Sequence, residues 1–218
     1  MADMVSTEKT ERFREAVTKW AATAEPGDLA TELAAELGVR TAVLLEGPSD
    51  VAAVETLAAA RGRDLPAEGV CVLSMGGAMN VARYARLLSP SPSTPTSTPA
   101  LRLTGLCDER ERPYYTRAFN EVGAPRQAIH VCTADLEDEL IRALGAPRVM
   151  ELIEAEGDLR PLRTFLNQPA QRGRSTHQQL RRFFGTTSGR KIHYGGALVA
   201  ALPADRTPTP LHNLLTTL

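Results

Sequence analysis

The chain has 218 residues, 43% hydrophobic and 23% charged, enough for one buried core with helical attachments and too few for two full domains. Its three cysteines, Cys71, Cys107 and Cys132, lie in apolar surroundings without a Cys-x-x-Cys pair, which excludes a disulfide framework and predicts a reducing, cytoplasmic setting. No apolar run approaches the roughly 20 residues that span a bilayer, and the opening MADMVSTEKTERFREAV is too charged for a secretory leader, so no membrane partner is expected.

Residues 7–24 place Phe13, Val17, Trp20 and Ala21 among charges at helical spacing, and Asp28 is set to cap a second helix reaching Leu37. Four short apolar or β-branched runs follow: TAVLLE (41–46), VCVLS (70–74), LRLTGLC (101–107) and IHVC (129–132). Helical segments over 50–61, 78–88 and 113–121 separate them. Strands alternating with helices predict βαβ units, hence an α/β fold with a mostly parallel central sheet flanked by helices. Ligands of such sheets bind beyond the carboxyl ends of the strands. The stretch SPSPSTPTSTP (89–99) cannot build a core and is expected to be a flexible surface loop. Beyond Asp135 the pattern is helical over 135–144, 147–156, 159–167, 175–184 and 189–202, punctuated by Gly145, Pro147, Gly157 and Gly185. The expected organisation is an N-terminal helical segment (1–40), an α/β core (41–145) and a C-terminal helical extension (146–218).

The net charge of −1 hides a strong asymmetry along the chain. Between Leu159 and Ala204 there is no acid, while Arg160, Arg163, Arg172, Arg174, Arg181, Arg182, Arg190 and Lys191 lie there. Between Asp135 and Asp158 acids dominate. A polyanion-binding surface beside a cation-binding one would produce this pattern, as would solvated helix faces that neutralise one another.

Carboxylates follow three of the four runs: Glu46 and Asp50 after the first, Asp108 after the third, Asp135 and Glu137 after the fourth. In a parallel sheet these ends share one edge, where so many acids repel unless a divalent cation neutralises them; hard oxygen donors suit Mg²⁺ or Mn²⁺. Each acid also has a local explanation. Asp50 sits where a helix dipole favours an acid, Asp135 can be an N-cap with Glu137 in the first turn, and Asp108 can simply end a strand. Glu46, at the end of an apolar run, has none. The four histidines, His130, His177, His193 and His212, are scattered and read as structural or surface residues.

The blocks VLLEGPSD (43–50), VLSMGGAMN (72–80), GLCDERE (105–111), DLEDEL (135–140) and GRK (189–191) together resemble the TOPRIM domain of topoisomerases, primases and related nucleases. The resemblance is closest to the TOPRIM half of the OLD-family (overcoming lysogenization defect) nucleases. It implies a TOPRIM, Rossmann-like core in which Glu46, Asp50 and Asp108 bind one metal ion and Asp135 and Glu137 help place a second. Lys191 matches the family's late lysine, expected to contact the scissile phosphate or to stabilise developing charge; Glu46 and Lys191 are the implied catalytic pair. Two departures stand out. The family's Asp-x-Asp motif has Arg110 at its second acid, leaving Glu109, Glu111 or neither to fill that place. The family's ATPase domain has no counterpart here, since no G-x-x-x-x-G-K-[ST] loop is present, so intrinsic ATPase activity is not expected and a separate ATPase chain becomes a candidate partner.

The implied function is a metal-dependent endonuclease hydrolysing DNA phosphodiester bonds by a two-metal mechanism. Arg172, Arg174, Arg181, Arg182 and Arg190 would hold the DNA backbone without reading sequence. Phe183 and Phe184, beside Arg181 and Arg182, read as core residues before base-stacking platforms. The alternative from another class is a catalytically decayed or partner-dependent TOPRIM module that binds nucleic acid or regulates.

Overall fold

The computed structural model describes residues 2–23, 27–89 and 100–218; residues 90–99, most of the expected surface loop, lie outside the described residues. The elements in chain order are α1 (Ala2–Thr23), α2 (Asp28–Glu36), β1 (Thr41–Leu45), α3 (Pro48–Ala60), β2 (Val70–Ser74), α4 (Val81–Leu88), β3 (Arg102–Asp108), α5 (Arg112–Glu121), β4 (Ile129–Cys132), α6 (Leu136–Leu144), α7 (Ala146–Ala155), α8 (Leu159–Leu166), α9 (Thr176–Phe184), α10 (Ser188–Ala200) and α11 (Thr209–Thr217).

The strands form one parallel four-stranded sheet in the order β2-β1-β3-β4. Thr41 lies beside both Val70 and Arg102, and Gly105 beside Ile129. Every residue of β1 is buried. Val43 and Leu45 enter an apolar layer shared with α3 and α6 to α11, while Ala42 and Leu44 enter a second layer shared with α1, α2, α4 and α5. Burial on both faces is why the strands read as unbroken apolar runs and not as alternating ones. The chain leaves β1 for β2 on one side and later enters β3 on the other, so strand order reverses between β1 and β3. The crevice this reversal leaves opens at the carboxyl edge, beside Glu46 and Asp108.

The structure departs from the sequence pattern at three places. Asp28 is the first residue of α2 and not its cap; Gly27 holds the N-cap position. A Cβ at Gly27 would lie 2.3 Å from the Trp20 indole, so the chain passes where only glycine fits. The helix expected from 78 begins as a 3-10 turn, Ala78–Asn80, before α4. Finally, α11 was not anticipated: Pro208 and Pro210 read as turn residues in the sequence, whereas Pro210 sits in the first turn of the helix, where its missing N–H costs nothing, and Leu211, Leu214 and Leu215 are buried behind it.

Two glycines in α10 set the position of the C-terminal helices. A Cβ at Gly195 would meet the Ser49 carbonyl oxygen at 2.5 Å, and one at Gly196 would meet Thr56 Oγ1 at 3.2 Å. The missing side chains let α10 lie directly on α3. Replacing a helical glycine by alanine ordinarily stabilises by up to about 1 kcal/mol, whereas forcing a methyl into a filled contact costs about 1–3 kcal/mol. Gly195→Ala is therefore expected to destabilise in urea denaturation. Gly189→Ala, in the same helix but with nothing within 4 Å of its Cβ among the described residues, is expected to be neutral or stabilising. Equal behaviour of the two variants would contradict the close α3–α10 approach.

Candidate metal centre

The backbone around Glu46 is held from two directions. Gly77 donates its N–H to the Glu46 carbonyl at 2.9 Å, and Met75 donates to Leu45 at 2.9 Å. The turn that does this needs Gly76 at φ +67° and Gly77 at φ +127°, conformations that side chains disfavour. On the other side, Pro48 opens α3 and the Asp50 carboxylate accepts the Gly47 N–H at 3.0 Å. The MGG turn thus fixes the residue that ends the neighbouring strand.

Across the crevice, β3 ends at Asp108. Gly105, in the same strand, makes room for Tyr115: a Cβ would sit 2.7 Å from its ring, and the Tyr115 hydroxyl donates to the Leu44 carbonyl at 3.4 Å. This contact seats α5 against the sheet directly after the turn 109–111. Carboxylate oxygens of Glu46, Asp108 and Glu111 all lie within 4.8 Å of one another.

The remaining acids flank this triad. Glu137, 5% exposed, has a carboxylate oxygen 3.4 Å from Lys191 Nζ; α10 delivers that lysine from its packing on α3. Asp50 feels the charges of Glu137, Lys191 and Glu46, which places these four groups in one electrostatic neighbourhood. Asp135 caps α6, accepting the Asp138 N–H at 2.8 Å, and its other oxygen accepts from Arg181 Nε at 2.6 Å. Its charge nonetheless reaches Asp108.

The arginines of the acid-free segment are spread over several roles. Arg181 is held by Asp135 and Arg190 by Asp158 at 3.1 Å. The Arg190 guanidinium also stands 4.3 Å over the Phe183 ring. Arg174 donates to the Ala170 carbonyl at 2.9 Å, while Arg172 and Arg182 are exposed. Phe183 and Phe184 are buried in the core, with Phe184 packed on Tyr194 at 4.6 Å between ring centroids. The histidines are tied locally: His177 to Asp138 at 2.6 Å, His193 to Glu156 at 2.8 Å, His130 to Thr217 at 3.2 Å, and His212 within 3.5 Å of Arg61.

Like charges brought together in partial burial hold their protons tightly. Burial, then the charges of Asp135, Glu111 and Glu46, push Asp108 up to about 8. Burial and Glu46 push Glu111 to about 7, and burial and Glu137 push Asp50 to about 7. Burial also raises Glu137, against the opposing charge of Lys191. Lys191 itself is raised, because Glu137, Asp50 and Glu46 outweigh the burial that would lower it. Converging hard oxygen donors, a net excess of negative charge and a solvent-sealed Glu111 oxygen without a hydrogen-bond partner are what a divalent cation such as Mg²⁺ or Mn²⁺ requires, so the residues present fit one.

The family model described as the TOPRIM domain of overcoming lysogenization defect protein-like proteins matches residues 39–94. That stretch contains β1, Glu46, α3, β2 and the Gly76–Gly77 turn. The C-terminal region of the Xanthomonas campestris pv. campestris OLD protein is similar in structure, with a TM-score of 0.60 at 21% identity, covering 82% of this chain and 93% of that one. The fold is of the TOPRIM type and resembles the OLD C-terminal half. The C-terminal region of the Burkholderia pseudomallei OLD protein gives the same TM-score of 0.60 at 19% identity, over 82% of this chain and 96% of that one. No curated protein matches the sequence. The structural likeness covers far more of the chain than residues 39–94.

Three carboxylates with raised proton affinity make a pH test possible. An acid whose folded pKa lies above its unfolded value of about 4 binds more protons folded than unfolded, so stability falls as pH rises through that interval. Asp50, Asp108 and Glu111 all act this way up to about 7 to 8. Buried His130, with a lowered pKa, works in the opposite sense, but only below its unfolded value of about 6.5. In EDTA, the melting temperature is expected to drop between about pH 6.5 and 8, and excess Mn²⁺ is expected to recover it most at the upper end. A flat metal-free profile over that range would contradict the crowding of these acids.

Proposed function

We propose that this chain is a divalent-metal-dependent nuclease that hydrolyses phosphodiester bonds of DNA. The observation that carries this reading is the convergence of Glu46, Asp108 and Glu111 at the β1/β3 reversal, with Lys191 anchored on the adjoining wall by Glu137. A cluster of carboxylates alone would repel a phosphodiester; a cation held among them, beside an ammonium, turns the same pocket into one that attracts it. Glu46 and Asp108 would hold the ion, Mg²⁺ or Mn²⁺, and Asp50, Asp135 and Glu137 would shape its surroundings or a second position. When bound, such an ion polarises a phosphoryl oxygen and offsets charge that develops in the transition state. Lys191 is proposed to point its ammonium at the non-bridging oxygens of the scissile phosphate. Burial of Glu137 and partial burial of Asp50 limit water around that charge and so strengthen its effect.

The DNA backbone is proposed to run over the acid-free segment. Exposed Arg172, Arg174 and Arg182 can contact phosphates directly, giving salt-dependent binding with little sequence preference. Arg181 and Arg190 already hold Asp135 and Asp158, so their proposed contribution is to orient these acids as well as to supply positive potential. A second reading, a TOPRIM module that regulates or depends on a separate ATPase chain, is favoured by Arg110 in place of the motif's second acid.

The experiment that separates the readings is nicking of supercoiled plasmid with Mg²⁺ or Mn²⁺. Wild type is expected to nick, and Glu46→Gln and Lys191→Ala are each expected to lose on the order of a hundredfold in rate, the usual cost of removing one charge-stabilising group. Equal rates in all three proteins would contradict the nuclease assignment.

A further inference from the structure

The family motif places its two acids at positions i and i+2, an arrangement that puts both on one face only while the chain stays extended, because side chains of a strand alternate. Here the strand stops at Asp108. The backbone then folds into a turn closed by the Glu111 N–H donating to the Asp108 carbonyl at 2.9 Å, and α5 begins at Arg112. Such a turn returns the residue three positions on, not two, to the side of Asp108.

The side chains follow that geometry. Arg110 is exposed. Glu109 is exposed as well, and its carboxylate accepts from Arg112 at 3.4 Å. Glu111 alone of the three turns inward, with a carboxylate oxygen within 4.8 Å of oxygens from both Glu46 and Asp108. Its Oε2 is sealed from solvent and has no hydrogen-bond partner among the described residues. A buried acceptor left without a donor is costly, and without a proton shared with Glu46 the neighbouring carboxylate adds to the cost. A cation among the three acids removes both penalties at once.

We propose that Glu111 joins Glu46 and Asp108 around one divalent cation, taking over the place that the family motif gives to the residue at position 110. The inference rests on the metal-site reading above and deepens it. The shift of the acid by one residue follows from the strand ending at Asp108, and Arg110 is tolerated because its position faces away from the cluster. The motif is therefore relocated in this chain and not lost.

Calorimetric titration of the full chain with Mn²⁺ tests this without any assay of activity. Glu111→Gln is expected to weaken Mn²⁺ binding by at least about tenfold, since even partners that only orient a ligand contribute 10–100-fold. Asp108→Asn is expected to do the same, and Glu109→Gln to bind as wild type. Adding Arg110→Asp to Glu111→Gln, which restores the family spacing in sequence, is expected not to recover the lost affinity. Melting in EDTA checks the fold: Glu111→Gln removes a charge from a crowded site and is expected to melt no lower than wild type. Should it melt lower, Glu111→Asp, which keeps the charge but withdraws it by one methylene, is expected to weaken Mn²⁺ binding in its place. Wild-type affinity in the folded Glu111 variant, with Asp108→Asn impaired, would overturn the role of Glu111 while leaving the metal site standing. Recovery of affinity by Arg110→Asp would overturn the shifted register. Unchanged binding in Asp108→Asn and Glu46→Gln as well, or no binding by wild type, would remove the metal-site reading together with the inference.

Discussion

Mutual repulsion among the carboxylates at the end of β1 and β3 is the constraint around which the rest of the molecule is arranged. Carboxylate oxygens of Glu46, Asp108 and Glu111 lie within 4.8 Å of one another, and in a half-buried crevice that crowding is relieved only by a proton or a cation. The fold enforces it through three local contacts. The MGG turn grips the Glu46 backbone, the Gly105–Tyr115 contact seats α5 behind Asp108, and the turn 108–111 closes on itself. The stability of the two apolar layers is what sustains the unfavourable electrostatics at their edge, a common relation between scaffold and site.

The second requirement of the proposed site is a positive charge near those acids that does not cancel them. Lys191 meets it because α10 can approach α3 to backbone contact at Gly195. One helical turn earlier the same helix projects Lys191 toward Glu137, at the start of α6. Asp135 and Glu137 consequently divide their work: Asp135 caps α6 and restrains Arg181, while Glu137 anchors the lysine. Glu139, another buried acid of α6, serves the scaffold by accepting the Thr133 N–H at 2.9 Å.

The sheet was legible in the sequence because two-sided burial leaves a strong mark: four apolar runs at TAVLL, VCVLS, LRLTGLC and IHVC, separated by helical periods. The strand ends were legible for the same reason, since an acid closing such a run stands out, as Glu46 does. What could not be read were features that depend on approach in three dimensions. Gly195 and Gly196 look like ordinary small residues until α10 is laid on α3. The choice between Glu109 and Glu111 could not be made before the end of β3 was known, because a single extra extended residue would have favoured position 110. α11 was hidden by Pro208 and Pro210, which read as a turn until Pro210 is seen in the first turn of the helix. The division of the basic segment into exposed Arg172, Arg174 and Arg182 and the acid-bound Arg181 and Arg190 likewise follows from packing of α9 and α10, not from composition.

The central claim is that this sheet edge is built to hold a divalent cation. Anomalous diffraction from a crystal of the full chain soaked in Mn²⁺ tests it most directly. The account predicts a Mn²⁺ peak bounded by carboxylate oxygens of Glu46, Asp108 and Glu111, at oxygen–metal distances of about 2.0–2.3 Å. A fully soaked crystal with no peak there, or with Mn²⁺ bound only elsewhere on the molecule, would contradict it.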